Sequence, residues 1–167
     1  LHSSYIMGRM AVAAMEGGAV GIRANSVEDI AQIKKEVDLP ILGIIKRDYD
    51  DSDVFITATR KEVDELVSVG CDVIAVDATH RMRPHGINLD TFYQEIRQAY
   101  PHQELMADCA TLEEMIHASK LGFDYIGTTL VGYTKESEHL KIETDDFILL
   151  QEALKHITQP LVAEGNI

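Results

Sequence analysis

The sequence predicts an α/β fold, a parallel barrel of which about six strands are visible where eight close the ring. Three observations carry that prediction. Short apolar runs alternate with helix-spaced segments along all 167 residues, and run ends lie roughly 20 to 35 residues apart, as in consecutive βα units. The runs end in polar or charged residues, Arg23, Lys46, Asp77, Asp108, Thr128 and Glu164, which a parallel barrel gathers at the C-terminal mouth of its sheet. Neither a GxGxxG opening the first helix nor a GxxxxGK[ST] occurs, so the open nucleotide-binding sheets lack their fingerprint.

Taken in order, Ile6, Met7, Met10, Ala11 and Ala14 recur at helical spacing over residues 4–16, and Gly17-Gly18 ends that helix. Residues 19–22 form a short strand ending at Arg23. Asn25 or Ser26 caps the next helix, with Glu28 and Asp29 in the first turn, where the dipole favours acids. It runs to about Val37. Asp38-Leu39-Pro40 then turns the chain into an apolar run around Gly43, a strand buried on both faces that emerges at Lys46, Arg47 and Asp48.

Residues 48–55 are too polar for a core and form a loop. Thr59 with Glu62 makes a capping box for a helix that Gly70 stops. Residues 72–76 are a strand ending at Asp77, and residues 78–86 a basic loop expected to be a solvated surface. A helix spans about 89–99, a strand 105–107 ends at Asp108, and Thr111 with Glu114 repeats the capping box before a helix ending near Gly122. Tyr125-Ile126 leads into Gly127-Thr128-Thr129. A longer loop precedes a helix over 145–157, and residues 160–163 are the last strand, ending at Glu164-Gly165. The whole reads as one partial barrel domain over residues 1–167 that begins at a helix, stops after a strand and is expected to be incomplete.

A formal charge of −13 disfavours nucleic acid or an anionic membrane as partner, and an anionic substrate would be held by local donors against the overall field. Cys71 and Cys109 make no framework, so both are expected to be ordinary buried thiols in a reducing compartment. No apolar run reaches the roughly 20 residues of a membrane span, and the first ten residues do not read as a signal peptide. The seven histidines show no metal-ligand spacing, and exposed histidine is the expectation for each, His2, His117 and His156 included.

Among the strand-end residues, Arg23 offers fixed donors and no neutral form, which suits an anion clamp. Lys46 is a candidate base or Schiff-base amine, against the plainer reading of a solvated strand end. Asp77 and Asp108 are candidates for orienting a lysine or bonding substrate hydroxyls, with helix capping a rival role for Asp108. Glu164 precedes Gly165, whose backbone leaves room for an anion. Thr128 and Thr129 offer hydroxyls to sugar or phosphate, and Tyr49 and Tyr133 lie in loops able to close over a ligand.

The segments GAVGIRAN (18–25), LPILGIIKRDYDDSDVFITAT (39–59), VIAVDAT (73–79), LMADCAT (105–111), FDYIGTTLVGYT (123–134) and LVAEGNI (161–167) together resemble the bacterial N-acetylmannosamine-6-phosphate 2-epimerase family. The resemblance covers essentially the whole chain and implies a TIM (β/α)8 barrel of the phosphate-binding type, here without its first and last strands. It also implies a cytoplasmic, cofactor-independent isomerase of sialic acid and amino sugar catabolism. It assigns Lys46 as main acid/base and Glu164 as its catalytic partner, with Arg23 and Asp108 contacting substrate; Thr128 and Asp77 are placed with them as substrate-binding candidates. A sugar phosphate is the expected small-molecule partner, and the outer helical faces permit a homodimer. The alternatives are a Schiff-base aldolase acting through Lys46 and a non-catalytic sugar-phosphate-binding module.

Overall fold

A computed structural model describes residues 3–165; His2 and the last motif residues, Asn166 and Ile167, lie outside them. Six strands pair in chain order and all in parallel: β1 (Ile22–Asn25), β2 (Ile41–Ile44), β3 (Val73–Asp77), β4 (Glu104–Asp108), β5 (Tyr125–Gly127) and β6 (Leu161–Val162). The helices are α1 (Ser4–Glu16), α2 (Val27–Glu36), α3 (Arg60–Val69), α4 (Leu89–Ala99), α5 (Leu112–Leu121) and α6 (Thr144–His156).

Alternation along the strands divides the core in two. Ile41, Ile74, Val76, Leu105, Ala107 and Ile126 face outward and pack with helix residues such as Ile30, Ile33, Leu66, Phe92, Ile96 and Met115. Leu42, Ile44, Val73, Ala75, Met106, Tyr125 and Val162 form a second cluster on the other face, which includes no residue of any of the six helices. Gly43 belongs to the helix-facing set, and a Cβ there would run into Cys71, Leu66 and Ile30, so glycine lets α2 and α3 approach β2.

Helices on one face only are the mark of a barrel, and the curl of the sheet confirms it. Arg23 on β1 reaches Glu164, just past β6, at 2.9 Å. Five strand spacings in a flat sheet would separate those strands by about 24 Å. The architecture is a curled, TIM-barrel-like α/β half-barrel.

Helix starts follow the sequence closely. Ser26 accepts from Asp29 N–H at 3.3 Å to cap α2. Glu62 receives the Thr59 N–H at 2.7 Å before α3, and Glu114 receives the Thr111 N–H at 3.0 Å before α5. The first strand is displaced from the expected 19–22. Ile22 N–H donates to Pro40 carbonyl and Ile22 pairs with Ile41, so pairing starts where β2 starts; Pro40 has no N–H with which to extend the ladder backwards. Arg23 therefore lies inside β1, and Asn25 is the residue at its end. The first turn of α6 also departs from a regular helix, with Asp145, Asp146 and Phe147 at positive φ.

The basic loop is a second correction. Thr79, Arg83 and Pro84 are buried, not solvated. Arg83 donates to the carbonyls of Thr57, Ala58 and Asp77 and lies 4.0 Å over the Phe92 ring. Three carbonyl acceptors and an aromatic face replace the water it has lost. Among the described residues, no helix is long and apolar enough to cross a membrane.

Candidate active site

The inward register places Arg23 and Asn25 on β1, Lys46 two residues past β2, Asp77 at the end of β3, Asp108 at the end of β4 and Glu164 two residues past β6 on one face of the sheet. Arg23 is the hub. Its guanidinium binds Asp108 through two hydrogen bonds, 3.2 Å to Oδ1 and 2.7 Å to Oδ2, and its Nε forms an ion pair with Glu164 Oε1 at 2.9 Å. Asp108 is fully buried and also accepts the Thr129 hydroxyl at 2.7 Å. Its carboxylate caps no helix; Thr111 caps α5 instead.

Burial pushes both carboxyls above the ordinary range, and Arg23 opposes that shift in each. Asp108 adds to the shift at Glu164, while the positive charge of Lys46 reduces it, so Lys46 is electrostatically part of the same cluster. Burial disfavours the charge on Arg23, but Asp108 and Glu164 together outweigh it and hold the guanidinium firmly protonated.

Lys46 itself is exposed, as in the plainer reading of a solvated strand end. Its ammonium lies 5.9 Å from the Phe55 ring centroid, and its backbone N–H donates to Asn25 Oδ1 at 2.9 Å. The returning loop pairs antiparallel with this segment, with Arg47 N–H donating to Phe55 and Thr57 N–H to Ile45. Arg47, one residue on, turns away from the cluster to Glu62 and Glu65.

Two predicted contacts are engaged elsewhere. Asp77 is aligned with Asp108, but its carboxylate accepts Thr79 N–H at 3.0 Å, the Thr79 hydroxyl at 2.7 Å and Arg81 at 2.6 Å. Thr128 is fully buried and its hydroxyl is taken up by the main chain of Glu164. Tyr49 donates to Glu62 at 2.8 Å, which removes it as a lid; Tyr133 is exposed. Below the cluster an apolar trough of about 500 Å³ runs along the concave face, lined by Leu42, Val73, Met106, Tyr125 and Val162 together with Arg23 and Glu164.

A family model described as "Putative N-acetylmannosamine-6-phosphate epimerase" (NanE) matches residues 7–167. The chain belongs to this epimerase family. A relative from Borreliella burgdorferi, described as "Putative N-acetylmannosamine-6-phosphate 2-epimerase", is 57% identical over 168 residues, covering all of this chain and 72% of its own length. One from Staphylococcus carnosus with the same description is 56% identical and is covered over 74% of its length. The solved N-acetylmannosamine-6-phosphate 2-epimerase of Clostridium perfringens superposes with a TM-score of 0.91 at 51% identity, over all of this chain and 71% of that one. Thiamine phosphate pyrophosphorylase from Pyrococcus furiosus, 20% identical with a TM-score of 0.62, shares the fold alone.

The epimerase-like motifs thus bring Arg23, Lys46, Asp108 and Glu164 to one cluster. Sequence reasoning missed Asn25, taken only as a helix cap, and assigned Thr129 to substrate where it holds Asp108. The signal for Asn25 was its place two residues after Arg23, on the same face of a strand. Among the described residues, no group of three or more His, Cys, Asp or Glu could hold a metal ion. His117, expected to be exposed, is half-buried and bonded to Asp90 at 2.6 Å.

Proposed function

We propose that this protein interconverts N-acetylmannosamine 6-phosphate and N-acetylglucosamine 6-phosphate by proton exchange at C2. In the open-chain sugar the C2–H bond breaks, its electron pair moves toward C1, and negative charge develops on the aldehyde oxygen. A proton drawn from solvent then returns to the opposite face of C2, and the base releases the first proton to solvent. The Lys46 amine, when neutral, takes the first proton. The guanidinium of Arg23 meets the developing charge, with Asp108 fixing that guanidinium and the partly exposed Glu164 both fixing it and bonding the sugar hydroxyls. The exchange is redox-neutral, so the proposal includes no cofactor. We place the reaction in the cytoplasmic breakdown of sialic acid.

The observation that carries this reading is the Arg23–Asp108–Glu164 network with Lys46 acting on it, in a chain of the epimerase family. The test is proton NMR of N-acetylmannosamine 6-phosphate in D₂O with the full chain and with Lys46→Ala. Deuterium at C2 accompanied by the gluco epimer, and lost in the variant, is the expected result. Exchange that persists in Lys46→Ala moves the base to a carboxylate. No exchange in the unsubstituted protein removes the epimerase reading.

A further inference from the structure

We propose that Thr128 is a positioning residue that fixes Glu164 in the cluster, and not a substrate contact. The ladder between β5 and β6 ends early: Gly127 pairs with Val162, and Thr128 N–H donates to Val162 carbonyl at 3.1 Å. Beyond that point the Thr128 side chain continues the pairing. Its hydroxyl donates to Glu164 carbonyl at 2.8 Å and accepts Glu164 N–H at 2.9 Å, so one side chain satisfies both main-chain groups of one residue.

The neighbouring residues close the arrangement. Gly165 adopts φ +98°, and a Cβ there would lie 2.8 Å from the Thr129 carbonyl oxygen, so the chain leaving Glu164 is pressed against the segment just past β5. Thr128 is fully buried. With its backbone held at both ends, Glu164 is delivered at the height where Oε1 reaches Arg23 Nε at 2.9 Å. A two-residue strand could not do this by its own ladder, because Val162 is its last paired residue. Threonine meets the need with a hydroxyl that both donates and accepts and a methyl that stays in the core. The role of Glu164 in turnover rests on the epimerase reading above; what holds Glu164 rests on this geometry alone.

The test compares Thr128→Val, which keeps the shape and removes both bonds, with Thr128→Ser, which keeps the hydroxyl. Thr128→Ala serves in place of the valine variant should that fail to fold. Misplacing Glu164 is expected to lower kcat about 10- to 100-fold with KM changed less than about threefold, and serine is expected to return kcat to within about threefold of the parent. A raised KM with unchanged kcat would make Thr128 a substrate contact and overturn the proposal, as would unaltered kinetics in every variant. The second readout is ¹³C NMR of labelled glutamate carboxyls in the full chain, with Glu164 assigned by its loss in Glu164→Gln. Its titration midpoint is expected to fall toward the ordinary glutamate value when Thr128 is valine, as the carboxyl leaves its buried place. An unmoved midpoint overturns the proposal. Should the parent protein show no turnover, the epimerase reading fails, while this midpoint still decides what Thr128 does.

Discussion

Arg23 is useful because its five donors are fixed in a plane and its charge is permanent, so it can hold Asp108 along one edge and Glu164 along another. The two carboxyls are held at a cost to stability. Both sit above the ordinary carboxylate range because burial outweighs Arg23, so both bind protons more readily folded than unfolded. Their protonation therefore stabilises the fold below the unfolded-state range, and that contribution is lost as pH rises through the raised values. Glu164→Gln, locked in a neutral form, is expected to melt higher than the parent at pH 7, with the gap closing as pH falls toward about 4. The same variant is expected to lose at least about 100-fold in turnover, since it gives up a charged contact in the reacting cluster. A melting temperature at or below the parent's at pH 7 would show that the Arg23–Glu164 pair is a net stabiliser instead.

The strands supply the inward residues, but the segments just past them hold the site together. The β2 exit is clasped by Asn25 from β1 and by the returning strand-like segment at Phe55–Thr57. The β3 exit folds back so that Arg83 is buried, and burial pushes its guanidinium down to about 10. Its value lies in the three carbonyls it satisfies, those of Thr57, Ala58 and Asp77, which join the β2 loop to the β3 end. Lysine cannot present that planar fork or lie flat on Phe92. Arg83→Lys is expected to lower unfolding free energy by about 1–3 kcal/mol, the usual cost of leaving buried polar groups unpaired. Urea denaturation with an unchanged slope checks this; a midpoint equal to the parent's would mean the carbonyls find other donors.

Curling brings β1 and the end of β6 together, and with them a cation-centred cluster inside a strongly acidic molecule. Arg23 and Lys46 are nearly balanced locally by Asp108 and Glu164, so an approaching sugar phosphate first meets the field of the −13 chain. Salt screens that repulsion over a Debye length of about 8 Å at physiological strength. Hence kcat/KM for the sugar phosphate is expected to rise, about twofold, between low salt and physiological ionic strength. A fall over the same range, measured by initial rates, would show that local donors dominate the encounter.

Much of this was legible in the residues. Alternation of apolar runs and capped helices led to six parallel strands, and the capping pairs Thr59 with Glu62 and Thr111 with Glu114 marked helix starts closely, because those bonds form within four residues. Polar residues at run ends, together with the family motifs, pointed to Arg23, Lys46, Asp108 and Glu164. The start of β1 was not legible, because a strand begins where its partner offers groups to pair with, and Pro40 sets that limit from 18 residues away in sequence. Nor was the burial of Arg83 or the occupation of Asp77 and Thr128, since each depends on which loop folds back onto which strand end. Local patterning determined the strands, the helices and the candidate charges by itself. Which of those charges meet was decided by the curl of the sheet, because only that curl brings Arg23 within bonding distance of Asp108 and Glu164, while the pairing of β5 with β6 decided that Thr128 holds Glu164.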